Sequence, residues 1–141
     1  EYMKQYPVDF ISFSYYMSSC VAKNTDGLAT TAGNTITAVK NPYLPTSEWG
    51  WQIDPTGLRI SLVELYDRYR KPLFIVENGL GAKEDLVEDG HGSYTVEDDY
   101  HIEYYKEHFK AMYDAIHEDG VELLGYTSWP ALIWFLKAPS R

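Results

Sequence analysis

The chain has 141 residues, of which 45% are hydrophobic and 16% aromatic, so it can bury a core and is not an intrinsically disordered protein. Its formal net charge of -9, with 12 basic residues scattered among 21 acidic ones, argues against a nucleic acid as its partner. No apolar run approaches the roughly 20 residues that cross a bilayer, so we expect no membrane partner. The single cysteine, Cys20, predicts a reducing, cytoplasmic compartment.

A first strand is predicted at residues 8–16, which are rich in β-branched and aromatic residues and partly alternate. The chain reaches this strand within a few positions of Glu1 and has no initiator methionine, which predicts a piece of a longer protein. Residues 18–56 show no sustained period and contain many Asn, Gly, Thr and Pro residues, so we expect a long loop or a hairpin-bearing excursion. A helix should begin at Asp54-Pro55, with an apolar face made of Leu58, Leu62, Leu65, Tyr66 and Tyr69.

The most informative segment is a second strand, at residues 72–76, that runs into Glu77 and then into the turn residues Asn78-Gly79. Glu77 is therefore expected at the carboxyl end of a buried parallel strand, the edge where the active sites of parallel α/β folds lie. A carboxylate held there is a candidate nucleophile or general acid/base. The alternative is a structural carboxylate that caps the next helix or pairs with a buried arginine.

A longer helix is predicted to follow an acidic loop, with Thr95 and Asp98 as a capping box and Asp119-Gly120 as its stop. Its histidines are expected to be exposed, and since no carboxylate or cysteine cluster accompanies them we expect no metal site. Residues 121–126 are predicted to form a third strand. The apolar stripe of the longer helix, which precedes that strand, is predicted to comprise Ile102, Tyr105, Phe109, Met112, Tyr113 and Ile116.

The order of these elements predicts an α/β fold with neighbouring parallel strands and helices packed outside them. Either a segment of a (β/α)8 barrel or a small doubly wound sheet satisfies that order. The long loops after the strands and the short connections after the helices favour the barrel, and the absence of a phosphate-binding glycine fingerprint disfavours a nucleotide-binding sheet.

Several motifs together resemble the C-terminal third of family-one glycoside hydrolases, and within that family its bacterial 6-phospho-β-glucosidases. The resemblance spans residues 6–129 and implies strands six to eight of a (β/α)8 TIM barrel, here an incomplete barrel, with residues 1–129 as a partial glycosidase domain. The motifs are Asp9-Phe10-Ile11-Ser12-Phe13-Ser14-Tyr15-Tyr16, Asn41-Pro42-Tyr43-Leu44-Pro45, Glu48-Trp49-Gly50-Trp51-Gln52-Ile53-Asp54-Pro55-Thr56-Gly57-Leu58-Arg59, Phe74-Ile75-Val76-Glu77-Asn78-Gly79 and Gly125-Tyr126-Thr127-Ser128-Trp129.

By this resemblance Glu77 matches the catalytic nucleophile of a retaining glycosidase, and Tyr16 matches the tyrosine that hydrogen-bonds the nucleophile. Trp129 matches the tryptophan on the floor of the sugar subsite. Trp49, together with Trp51, is a candidate to line the aglycone side; composition alone favours the alternative, in which both residues anchor their loop. The implied substrate is a small phosphorylated β-glucoside, and no metal or organic cofactor is implied.

The chain departs from the family pattern in two places. The general acid/base glutamate of the family's Thr-x-Asn-Glu-Pro segment has no counterpart, so the chain alone is expected to be inactive. Residues 130–141 form an atypical tail in place of the phosphate-binding loop. Codons for residues 131–136, read out of phase, permit the family's Ile-Asp-Leu-Val-Ser, which predicts a frameshift near codon 130. The coding DNA would test this hypothesis. The alternative is a divergent natural C-terminus.

Two further expectations concern association and an alternative function. A partial barrel has open strand edges and an uncovered inner face, so we expect self-association. The alternative to a glycosidase fragment is a small α/β carbohydrate-binding or structural module whose tryptophans engage sugars and in which Glu77 has no catalytic role.

Overall fold

The computed structural model describes residues 5–31, 38–83 and 85–129 of the chain. The tail predicted at residues 130–141 lies outside these residues. In chain order the elements are β1 (Ile11–Ser14), β2 (Thr30–Thr31), β3 (Ala38–Val39), α1 (Pro55–Tyr69), β4 (Leu73–Asn78), β5 (Val87–Glu88), β6 (Tyr94–Thr95), α2 (Asp99–His117) and β7 (Leu123–Ser128).

The main sheet has three strands in the order β1-β4-β7, and both pairs are parallel. This confirms the prediction of neighbouring parallel strands joined through helices. The first strand is shorter than predicted and the third lies two residues further along the chain. The remaining strands form two short antiparallel hairpins, β2-β3 and β5-β6, and the first of these confirms a hairpin within the long segment before α1.

Helix α1 begins where the sequence predicts. The Asp54 carboxylate accepts a hydrogen bond of 2.9 Å from the backbone N–H of Gly57, and Pro55 follows in the first turn, where its missing N–H costs nothing. The helix ends at Tyr69, and the capping residue Arg70 donates its N–H to the carbonyl of Tyr66 and then turns the chain away in a left-handed conformation. Leu58 and Leu62 are fully buried, so they are the centre of the apolar face.

The predicted capping box of α2 is wrong, and of its predicted apolar stripe only Met112 is buried. Thr95 lies in β6, and Asp98 occupies the N-cap without a side-chain capping bond. The most buried residues of α2 are His108, Ala115 and Tyr104, whereas the predicted Phe109 and Tyr113 are about half exposed. The prediction of exposed histidines also fails for two of the three. The buried face comprises His101, Tyr104, His108, Ala111, Met112 and Ala115.

Both helices cover the same face of the sheet. Leu58 and Leu62 of α1 and Met112 of α2 pack with Leu73 and Ile75 of β4 in one core. The opposite face, called the open face below, is not covered by either helix and carries exposed side chains. A doubly wound sheet would have helices on both faces, so coverage of one face is the arrangement of a barrel segment. Exposed residues of this open face include Ser12, Ser14, Val76, Glu77 and Leu124.

Near its carboxyl end, strand β4 contains one residue more than the paired segment of either neighbour. Phe13 pairs with Ile75 but the next residue, Ser14, pairs with Glu77, and on the other side the register shifts between Ile75 and Asn78. Consequently Val76 and Glu77 are both exposed, whereas Asn78 is completely buried. This irregularity of the β-bulge kind re-aims Glu77, because strict alternation would have turned it toward the helices.

Candidate active site

Glu77 is held by backbone hydrogen bonds from the chain on both sides. The N–H of Tyr15 donates to the carbonyl of Glu77 at 2.9 Å, and the N–H of Trp129 donates to the carbonyl of Asn78 at 2.7 Å. The hydroxyl of Thr127 donates to the carbonyl of Val76. The end of β4 is thus fixed where the other two strands of the sheet also end.

Two hydroxyl groups converge on one oxygen of the Glu77 carboxylate. The phenol of Tyr16 donates to Oε2 at 2.6 Å, and the hydroxyl of Ser14 donates to the same oxygen at 3.2 Å. Burial raises the pKa of the Tyr16 phenol, and its hydrogen bond to Glu77 and the charge of that carboxylate raise it further. Tyr16 therefore remains a protonated donor at neutral pH.

Aromatic rings form one side of this site. Tyr16 meets Trp51 and Trp129 edge-on, with ring centroids 5.4 and 5.9 Å apart. Trp51 stacks on Trp129 at 6.2 Å, and Trp49 meets Trp51 edge-on at 6.0 Å. Trp49 thus joins the cluster through Trp51, one ring further from Tyr16.

The tryptophan-bearing loop is anchored by a buried amide and a serine. Gln52, which is 1% exposed, donates to the carbonyl of Ser18 at 2.7 Å and accepts from the N–H of Asn41 at 2.5 Å. The hydroxyl of Ser47 donates to the carbonyl of Gly81 at 2.6 Å. A Cβ at Gly81 would lie 2.5 Å from the Trp49 ring, so only glycine permits this close contact between the two loops.

A hydrogen-bond network lies directly behind Glu77, on the helix side of the sheet. The Asn78 amide donates to the carbonyl of Tyr15 at 2.8 Å and to the hydroxyl of Tyr104 at 2.9 Å, and its oxygen accepts from the hydroxyl of Tyr126 at 3.0 Å. The Tyr104 hydroxyl donates in turn to the carbonyl of Gly79 at 3.1 Å. Because buried polar groups that are all paired fix a single geometry, this network fixes the turn that follows β4.

A cleft of about 240 Å³ includes both hydroxyl donors of Glu77 in its lining, which comprises Ser14, Tyr15, Tyr16, Met17, Ser19 and Trp51. None of these six lining residues carries a carboxylate. Within residues 5–31, 38–83 and 85–129, no group of three or more His, Cys, Asp or Glu residues could hold a metal ion. In the same residues no helix is both long enough and apolar enough to span a membrane.

The structure brings Glu77, Tyr16 and Trp129 together, as the sequence analysis expected of residues at neighbouring strand ends. Sequence reasoning did not single out Ser14 or Asn78. Ser14 had a readable signal, since it precedes Tyr16 by two residues and so shares its face of the chain. Asn78 was read only as a turn residue.

Comparison with known proteins gives a consistent picture. The model described as glycosyl hydrolase family 1 matches residues 2–138. The chain is 62% identical over 122 residues to a 6-phospho-beta-glucosidase of Clostridium longisporum, and the matched segment covers 86% of this chain and 26% of the relative. It is 57% identical over 129 residues to the aryl-phospho-beta-D-glucosidase BglH of Bacillus subtilis, covering 92% of this chain and 26% of the relative.

Among solved structures, a family 1 b-glucosidase from Thermotoga maritima superimposes with a TM-score of 0.70 at 29% identity, covering 89% of this chain and 26% of that chain. The chain therefore spans about a quarter of the length of the relatives that it matches.

Proposed function

Because the chain belongs to glycosyl hydrolase family 1, we propose that it is the C-terminal part of a retaining β-glycosidase that hydrolyses 6-phospho-β-glucosides. In this proposal β1, β4 and β7 are strands six, seven and eight of a (β/α)8 barrel. Residues 1–129 belong to the glycosidase domain, and residues 130–141 are an atypical tail.

The observation that carries the proposal is the fixed carboxylate of Glu77 at the carboxyl end of β4, with two hydroxyl donors on one of its oxygens. In a retaining glycosidase such a carboxylate attacks the anomeric carbon and forms a glycosyl ester. A second carboxyl group, about 5 to 5.5 Å away, first protonates the leaving oxygen and then activates water. Rigid placement favours this chemistry, since attack requires a fixed line from the oxygen to the sugar carbon.

The neighbouring aromatic residues take the remaining roles. Tyr16 orients the nucleophile and stabilises its charge through the 2.6 Å hydrogen bond. Trp129 supplies a ring against which the apolar face of a pyranose can pack. Trp49 lines the aglycone side from behind Trp51. No residue in these roles requires a metal or an organic cofactor.

The substrate class is proposed from the relatives. Two of the most similar carry names that refer to phosphorylated β-glucosides, a small-molecule substrate that fits a cytoplasmic enzyme. The chain alone should hydrolyse nothing measurable, because the cleft beside Glu77 has no carboxylic acid among its lining residues to protonate the leaving group.

A full-length chimaera tests this proposal. In it, this chain replaces the segment that it matches in the Clostridium longisporum relative, so that the remaining strands come from that protein. A 2-deoxy-2-fluoro-6-phospho-β-glucoside with a dinitrophenyl leaving group should label Glu77 covalently, and mass spectrometry of a digest should find the adduct there.

The variant Glu77→Gln should abolish both labelling and turnover. The matched control, Glu88→Gln, changes an exposed strand carboxylate in the same way and should leave both unchanged. Labelling at another residue would refute the role of Glu77. Saccharide binding without any adduct would instead support the carbohydrate-binding module.

A further inference from the structure

The hydrogen bonds of the Glu77 carboxylate are distributed unequally between its two oxygens. Oε2 accepts from both Ser14 and Tyr16, whereas within the described part of the chain Oε1 accepts from no residue. A carboxylate oxygen has two lone-pair positions in its plane, so two donors occupy Oε2. Oε1 is left as the oxygen that faces the substrate.

Ser14 is placed for this contact by the register shift of β4. The shift pairs Ser14 directly with Glu77 and turns both side chains to the open face of the sheet. Ser12 lies two residues earlier on the same face, and it pairs with Phe74. The two serines of β1 are therefore a matched pair, of which only Ser14 contacts the carboxylate.

We propose that Ser14 is a second hydrogen-bond donor to the nucleophile and that it promotes the breakdown of the glycosyl ester more than its formation. This inference rests on the proposed function of Glu77. In the first step the bond between Oε1 and the anomeric carbon forms, and the bond to the leaving oxygen breaks with its electron pair. The charge of the carboxylate decreases, so donors on Oε2 lose interaction energy.

In the second step these changes are reversed. Water attacks the anomeric carbon, its proton passes to the second carboxylate, and the bond to Oε1 breaks with its electron pair returning to Glu77. Negative charge then spreads over both oxygens, and a donor already aimed at Oε2 stabilises it as it develops. A donor to Oε2 therefore accelerates the second step relative to the first.

The experiment compares Ser14→Ala with Ser12→Ala in the full-length chimaera. The rate of inactivation by the dinitrophenyl 2-fluoro-6-phosphoglucoside measures ester formation, and the recovery of activity after removal of excess inhibitor measures ester breakdown. In Ser14→Ala, recovery should slow about tenfold while inactivation changes by less than about twofold, since a hydrogen bond to a charged acceptor contributes about this much.

Two further variants make the result decisive. Ser14→Thr retains the hydroxyl and should restore recovery to within about threefold of the unsubstituted chimaera, and Ser12→Ala should match the unsubstituted chimaera in both steps. Equal slowing of both steps in Ser14→Ala would indicate only a structural role and would overturn the inference, as would recovery equal to that of Ser12→Ala. A chimaera that is not labelled at Glu77 would refute the proposed function, and this inference with it.

Discussion

Removing single hydroxyl groups from the network behind Glu77 should destabilise the fold in a definite order. Tyr104→Phe removes both the acceptor for the Asn78 amide and the donor to the carbonyl of Gly79, and Asn78 itself is fully buried. Tyr126→Phe removes only the donor to the Asn78 oxygen. The matched control is Tyr113→Phe on α2, a residue that is 59% exposed.

The magnitudes follow from the number of buried partners left unpaired. A buried group that loses its partner costs about 1 to 3 kcal/mol, so Tyr104→Phe should lower the free energy of unfolding by about 2 to 3 kcal/mol and Tyr126→Phe by about 1 to 2 kcal/mol. Tyr113→Phe should change it by less than about 0.5 kcal/mol, as is usual for a surface substitution.

Urea unfolding of this chain, followed by far-ultraviolet circular dichroism, measures these differences. With a urea dependence of about 1.5 kcal/mol per molar, the midpoint of Tyr104→Phe should fall by about 1 to 2 M. Equal midpoints for Tyr104→Phe and Tyr113→Phe would refute the view that the network fixes the turn after β4.

Three other predictions concern pH and association. Burial lowers the pKa of His108 below its ordinary value of 6.5. As the pH falls below about 6.5, the unfolded chain therefore takes up a proton that the folded chain excludes. The stability that neutral His108 contributes is present above about pH 6.5 and is lost below it. His108→Gln should therefore flatten the fall of the urea midpoint between about pH 7 and pH 5, and the control His117→Gln should not. Burial raises the pKa of Tyr15 from 10.0 to about 12, so stability that is complete below pH 10 should fall as the pH rises toward 12, and less steeply in Tyr15→Phe. The chain should self-associate through the open face of its sheet, which sedimentation velocity would detect. Leu124→Ser should weaken this association, whereas the control Tyr43→Ser, at a residue that is 91% exposed, should not. A monomeric unsubstituted chain would contradict the prediction of self-association.

The three strands of the main sheet and the start of α1 could be predicted because local signals fix them, whereas the β5-β6 hairpin lies where a loop was expected. Residues 72–76 are apolar and β-branched, and Asp54-Pro55 is a strong helix start, so neither depends on distant contacts. The buried face of α2 could not be predicted in the same way. Apolar and aromatic residues surround much of this helix, so its sequence does not show which of them face the core, and two histidines lie on the buried face.

The candidate site shows the same division. The positions of Glu77 and Tyr16 at neighbouring strand ends follow from the order of elements together with the family resemblance. The extra residue near the end of β4 has no local signal, since no glycine or proline lies within the strand, and it is seen only in the register of β4 with β1 and β7. The contact of Ser14 with the carboxylate therefore became apparent only in the folded chain.

The extra residue in β4 also gives protein engineers an attachment point. Because Val76 and Glu77 both face the open side, a cysteine introduced at position 76 would present its thiol beside the carboxylate while Ile75 and Asn78 keep their places in the core. A spectroscopic label attached there would report on occupancy of the neighbouring cleft. In a regularly alternating strand, the nearest position on the same face as Glu77 would lie two residues away from it, so such a label would be further from the carboxylate.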